Sequence, residues 1–425
     1  MGRHGDFERD KDVMTARQRY WFARQRRSVQ PAAAPSALVF GILFLACTAL
    51  PAAGQGGDTG ALTLTPLFKA STKTDRAKSG SPGQSEFSWM NLVDAGMALR
   101  FATPTIDWEV SYQAAAARHE LETEKKYLDH SVAGQGALRL GESHSLRVRA
   151  ARDVTQRDDK KSRSKGIRRA LAKLDTYART EVGVTYQFGG TKNPEPLGAT
   201  VTYSGLEYES LEDNTAQAMG YSEAFLAGAV SLQLMEDSAL LFELSRLETI
   251  ADAGSRHTPL PDSTRDSLLT GIAWRSSART SGVIKVGYLR RELEAYQREI
   301  YAVPNWEVEL AWSPSAFSAL KVESQRYDQE TASGEDIIDI LRYGIDWTRR
   351  WQNQWSLQIA GTYRDEAFGR IEREQSTVQL DTALRYTVDR RLQWSLGYRW
   401  EDRDSNIENL RMGRNQIEFS AKLVL

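Results

Sequence analysis

From residue 55 to its end, the chain alternates apolar and polar side chains with period two, over stretches longer than an ordinary strand. Trp394, Leu396, Tyr398 and Trp400 share one face of such a stretch, while Gln393, Ser395, Gly397, Arg399 and Glu401 share the other. Val378, Leu380, Leu384 and Tyr386 oppose Gln379, Asp381, Ala383 and Arg385 in the same way. So do Trp306, Val308, Leu310 and Trp312 against Glu307, Glu309 and Ala311. Successive side chains of a strand point to opposite faces, so each stretch makes a strand with one apolar and one polar face. About 18 segments of roughly 10 to 15 residues follow this rule, the length that a tilted strand needs to cross a bilayer. The pattern is weakest around Leu64 and Ala137.

The connections alternate in kind. Short ones fall at residues 103–105, 141–143, 189–196, 235–237, 276–279, 313–316, 351–353 and 389–391. Longer polar ones fall at 71–88, 121–129, 158–173, 211–220, 253–262, 296–303, 329–336, 366–373 and 404–410. Tight turns on one side and long loops on the other are how outer-membrane barrels treat the periplasm and the exterior. The expected fold is therefore all-β: a transmembrane antiparallel up-and-down β-barrel of 16–18 strands, with both ends of the barrel periplasmic. Soluble sandwiches use strands of about five or six residues, and propellers repeat at about 40, so neither fits.

Aromatic residues sharpen this. Phe101, Trp108, Phe188, Trp274, Trp312, Trp351, Trp355 and Trp394 each lie within a few residues of a short turn, as an interfacial girdle requires. Tyr112, Tyr208, Tyr288, Tyr363, Tyr386, Tyr398 and Trp400 are expected in the outer half of the wall.

The mean hydropathy of −0.50 is that of a soluble chain, and one apolar run stands out, at residues 37–50. It is short for a membrane helix but suits a signal-peptide core. Arg17, Arg19, Arg24, Arg26 and Arg27 precede it, and small residues follow it up to Gly54. Residues 1–54 read as a signal peptide, with Met14 a candidate start, and 55–425 as the barrel. The single cysteine, Cys47, lies in the leader. Residues 1–54 carry 8 of the 55 Lys/Arg and 4 of the 56 Asp/Glu, which leaves 47 against 52 and a net charge of −5. That argues against a nucleic-acid partner.

Charge on a lipid-facing position costs about 2–4 kcal/mol at mid-depth, so the charges that alternate with apolar residues are expected to point inward. The candidate pore-lining residues are Glu307, Glu309, Lys321, Glu323, Arg342, Asp346, Arg364, Asp381, Arg385, Arg399 and Glu401. A hairpin closing around Arg390 sets Asp381 opposite Arg399, and one closing around Ser315 sets Glu309 opposite Lys321. Such pairs either balance charge along the wall or orient polar solutes; the first reading is favoured. A barrel this wide is not filled by side chains, and no long soluble segment precedes the first strand to plug it. Inward aromatics, candidates Tyr327 and Tyr203, are too few for a sugar slide. The basic run at 158–173 is a solvated loop, with lipopolysaccharide phosphate as a candidate contact.

No G-x-S-x-G, H-E-x-x-H, Walker A or dinucleotide fingerprint occurs, and the histidines His119, His130, His144 and His257 are scattered. Neither enzymatic activity nor a cofactor or metal is expected.

The leader, the plugless run of long strands and the closing strand RNQIEFSAKLVL together resemble the putative β-barrel porin family. Its members are outer-membrane barrels associated with exopolysaccharide export. Leu425 departs from the terminal Phe or Trp usual for such barrels, while Phe419 and Leu423 keep the alternation. The resemblance implies an outer-membrane channel for polar solutes, with an exopolysaccharide as the sharper cargo. It also implies lipid, lipopolysaccharide, the assembly machinery and periplasmic export components as partners. The alternative is a non-transporting barrel, an enzyme or a scaffold for periplasmic partners.

Overall fold

The computed structural model describes residues 60–79, 85–119, 126–157, 175–189, 197–210, 221–251, 262–277, 279–293, 299–330, 337–351, 354–369 and 372–424. Residues 1–54, expected to be a leader, together with His257 and the basic run at 158–173, lie outside the described residues.

Eighteen strands follow one another along the chain: β1 Ala61–Ser79, β2 Ser85–Ala102, β3 Ile106–His119, β4 Lys126–Leu140, β5 His144–Arg157 and β6 Asp175–Phe188. Then come β7 Leu197–Ser210, β8 Tyr221–Met235, β9 Ser238–Ala251, β10 Ser263–Ser277, β11 Thr280–Leu293 and β12 Glu299–Ser315. The last are β13 Ser318–Glu330, β14 Ile337–Arg350, β15 Trp355–Phe368, β16 Glu374–Thr387, β17 Leu392–Ser405 and β18 Met412–Val424. Each pairs antiparallel with its neighbours in sequence, and β1 pairs β18 from Leu67↔Val424 to Ser79↔Met412. The pairing of β1 with β18 closes the sheet, so neither the first nor the last strand is left as a free edge.

The strands run 13 to 19 residues. Most of the connection expected at 71–88 is in fact strand, because β1 continues to Ser79 and β2 starts at Ser85. Paired backbone extends the barrel beyond its apolar band there, since pairing satisfies the polar backbone whether or not the side chains alternate. The short turns mark one rim, here the turn rim; the opposite one is the loop rim.

This barrel inverts the burial of a soluble fold. Val286, Ile345, Leu380 and Leu396 lie exposed on one face, while Lys285, Glu401 and Ser420 lie buried on the other. On the second face side chains reach across an intervening strand, as Lys285 of β11 does to Glu243 of β9, so that face is the concave one. The convex face carries a row of large aromatic residues. Phe101 packs on Trp108, Trp355 on Tyr386 and Trp394 on Phe419, with ring centroids 4.7–6.1 Å apart. The indole N–H groups of Trp306 and Trp347 donate to the hydroxyls of Ser324 and Ser318, which matters where lipid offers no acceptor. The ring of Trp274 covers Gly282, where a Cβ would come within 2.3 Å of it.

Candidate functional site

The concave face is a ring of polar side chains, and the strand register decides which of them meet. On β9, β11 and β12, Lys285 bridges Glu243 at 2.5 Å and Glu307 at 2.6 Å. Gly271 of β10 lies between, where a Cβ would stand 2.7 Å from the Lys285 Cα; its bare backbone leaves the lysine its path. Next along the wall, Lys321 approaches Glu309 at 3.8 Å and Glu323 at 3.3 Å, and Glu323 accepts from Arg342 at 3.0 Å. Asp346 accepts from Gln358, whose carbonyl accepts from Arg385 at 2.9 Å. Arg364 pairs with Glu366, and Asp381 accepts from Arg399 at 2.5 Å. Glu401 lies 3.6 Å from Arg403, and Arg414 with Gln416 holds Asp75 across the closing seam.

All eleven candidate residues thus lie on the concave face, and Asp381 and Arg399 are direct cross-strand partners. The other expected pairing is displaced. Glu309 stands opposite Glu323, and Ala311 opposite Lys321, because the β12–β13 turn closes at Ala316–Phe317 with an irregularity between Trp312 and Ser315. Lys321 reaches Glu309 only diagonally, and sits between two carboxylates instead of facing one. Arg399 and Asp381 are about half and a third exposed, so water screens the pair to roughly 0.2–1 kcal/mol. Chemically, this face is a hydrated wall of alternating sign.

The wall is interrupted between β12 and β13. Their pairing ends at Trp306↔Arg326, yet β12 continues beside β11 to Glu299 and β13 continues beside β14 to Glu330. Asp328 and Asp339 have the parity of convex residues such as Val322 and Ile345. Their partners, however, are on the concave side. Asp328 accepts from Arg291 Nε on β11 and from Arg265 Nη1 on β10 at 3.4 Å. Tyr301 of β12 hydrogen-bonds Asp339, which also pairs with Arg326. The outer end of the β13–β14 hairpin therefore lies inside the barrel, against the lumen side of β10–β12. Its other face packs Tyr327 and Ile340 with Ile338 and Phe368. A wall hairpin bends inward where no separate plug was expected.

Aromatic placement differs from expectation as well. Tyr203 faces outward and is 52% exposed, whereas Tyr208, expected on the outer wall, faces inward and is buried. It stacks between Tyr177 and Tyr221, with centroids 5.2 Å apart on both sides. The three come from strands β6, β7 and β8, with Tyr208 and Tyr221 in direct register; Tyr177 lies near the start of β6 and Tyr221 opens β8. No local spacing announces such a stack. Two of the histidines find simple partners: His130 bonds the Tyr112 hydroxyl at 2.8 Å and His144 that of Tyr186 at 2.6 Å.

Residues 51–424 match a protein family described as Putative beta-barrel porin 2. No curated protein sequence matches the chain. Among solved structures, OccK2 (OpdF) of Pseudomonas aeruginosa aligns with a TM-score of 0.47 at 10% identity, covering 85% of this chain and 98% of its own. The siderophore receptor PirA of Acinetobacter baumannii gives 0.47 at 5% identity, with coverages of 84% and 80%. OccAB3 of the same organism gives 0.45 at 10% identity, with coverages of 85% and 99%.

Proposed function

Because the chain belongs to the family described as Putative beta-barrel porin 2, we propose that it is an outer-membrane channel passing polar solutes through a hydrated, charge-lined lumen. The observation that carries this reading is the closed sheet of 18 strands with its charges turned inward and its apolar side chains outward. Only a lipid-embedded barrel with a wet interior satisfies both faces at once. Glu307, Glu309, Lys321, Glu323, Arg342, Asp346, Arg364, Asp381, Arg385, Arg399 and Glu401 would line the path. Their role is to replace the hydration of a passing polar group with protein charges of both signs. An exopolysaccharide leaving the cell is the sharper form of the reading, with periplasmic export components as its partners.

The test is single-channel conductance of the refolded barrel in a planar bilayer, with acidic and neutral polysaccharides added on either side. A stable open state that a polymer blocks supports the channel and names its cargo. A barrel that inserts and stays silent favours the second reading, a scaffold or enzyme with a closed lumen. The inward hairpin end of β13–β14 is the observation on that side.

A further inference from the structure

The inward hairpin end raises the question of what its binding place on the wall is for. Arg265 and Arg291 are direct partners across β10 and β11, both pointing into the lumen. Two like charges set opposite each other destabilise a ladder. Here they are also desolvated, with side-chain exposures of 10% and 3%. Such a pair persists only around an anion. That anion is the Asp328 carboxylate, itself fully buried. It is delivered by β13, which beyond Trp306↔Arg326 has lost β12 and is held by β14 alone. The two arginines, by contrast, sit in a β10–β11 ladder that runs unbroken from Ser263↔Leu293 to Trp274↔Gly282. The cationic half is built into the wall, and the anionic half is borrowed.

We propose that Arg265 and Arg291 form a carboxylate-binding site at the loop-rim end of the lumen, which Asp328 occupies as a built-in competitor. The ligand class is a solute bearing one carboxylate. Paired guanidiniums recognise that group by directed, charge-assisted hydrogen bonds. Ser263 adds a hydroxyl 3.4 Å from Arg291 Nη1. The carboxylate of Glu223 on β8 acts on Arg265 through space, and a negative neighbour of this kind disfavours polyphosphates. Displacement of Asp328 releases the outer end of β13 from the wall it covers. Solute binding and widening of the mouth are then the same event. This last consequence rests on the channel reading; the binding site does not.

The experiment is calorimetric titration of the purified full chain, refolded in detergent, with galacturonate, acetate and galactose. Asp328→Ala should bind galacturonate at least tenfold more tightly than the unaltered protein, and galactose should not bind either. Adding Arg291→Gln to Asp328→Ala should abolish the binding. Asp328→Asn keeps the shape of the side chain and should move the affinity in the same direction, so the comparison survives if the alanine variant fails to fold. Equal affinities in the unaltered and Asp328 variants, or binding that persists without Arg291, would overturn the site. Acetate binding as tightly as galacturonate assigns the site to free small acids; galacturonate alone assigns it to sugar acids. Conductance separates the two readings. A silent barrel that gains galacturonate binding on Asp328→Ala keeps the site and removes the channel. A conducting barrel whose variants bind alike keeps the channel and removes the site.

Discussion

The hairpins β16–β17 and β13–β14 start from the same local pattern and end in different places. In β16–β17 the register runs from Thr387↔Gln393 at the turn to Gln375↔Ser405 at the loop rim, between neighbours that stay paired. Leu380, Leu396 and Tyr398 face lipid along it, and Asp381 and Arg399 meet in water on the other side. In β13–β14 the turn half behaves alike, with Val322 and Ile345 outward and Lys321 inward. Its loop half loses β12 as a neighbour and turns into the lumen, taking convex-parity charges with it. Alternation fixes which residues share a face. Which environment that face meets depends on whether the next strand stays alongside.

The sharpest way to break this comparison is to remove one charge from each hairpin's ion pair. Arg291→Gln leaves Asp328 buried with one guanidinium, and losing a partner in a buried pair costs about 3–5 kcal/mol. Guanidinium unfolding in lipid vesicles, followed by tryptophan fluorescence, should show a fall of that order. A loss below about 1 kcal/mol would mean that the hairpin end is as wet as an exposed pair, and would return it to the wall.

A convex-face charge comes next. Leu380→Arg on β16 should destabilise by about 2–4 kcal/mol in the same assay if this position sits at mid-depth in lipid. Gln379→Arg, one residue away on the concave face, should leave stability nearly unchanged. Similar losses at both positions would remove the inside–outside assignment on which the comparison stands. Arg399→Gln follows, with an expected loss of about 0.2–1 kcal/mol because its pair with Asp381 is half in water.

The sequence is informative in proportion to how local the cause is. The turns at 103–105 and 141–143 and the Asp381–Arg399 pairing depend on a few adjacent residues, and all could be read directly. Lys321 meets Glu309 diagonally and not face to face because one irregular turn near Ser315 shifts the ladder by two, which alternation alone does not report. The inserted hairpin end does leave a signal in the sequence. On β13 the convex row Leu320, Val322, Ser324 is continued by Arg326 and Asp328, so an apolar face becomes charged where lipid should lie. On β14, Ile337, Ile338 and Ile340 put apolar groups on both faces, the mark of a strand buried on both sides. Charge on the lipid parity, together with apolar residues on both parities, points to a strand that has left the wall. The tyrosine stack had no such signal, since Tyr177, Tyr208 and Tyr221 are brought together only by register.

The smallest effect tests the turn that keeps β16–β17 regular. Asp389 stands at the turn rim, in water, and its carboxylate accepts from the backbone N–H groups of Arg391 at 2.7 Å and Leu392 at 2.8 Å. These two bonds, that from Leu392 foremost, hold its acidity below the usual carboxylate range. A carboxyl group whose folded value is depressed adds stability that is fully present above its unfolded value and is lost as pH falls through the folded one. Acidification below about pH 4, the reference range for an aspartate, should therefore loosen this turn before it affects the hairpin it closes. Amide hydrogen exchange at Arg391 and Leu392 should quicken on acidification relative to the intrinsic rate, and Asp389→Ala should abolish that dependence. If protection at these two amides is the same at pH 3 and pH 6, the side chain is not what holds the turn. The regularity of β16–β17 must then come from its paired neighbours, which is also what β13 loses beyond Arg326.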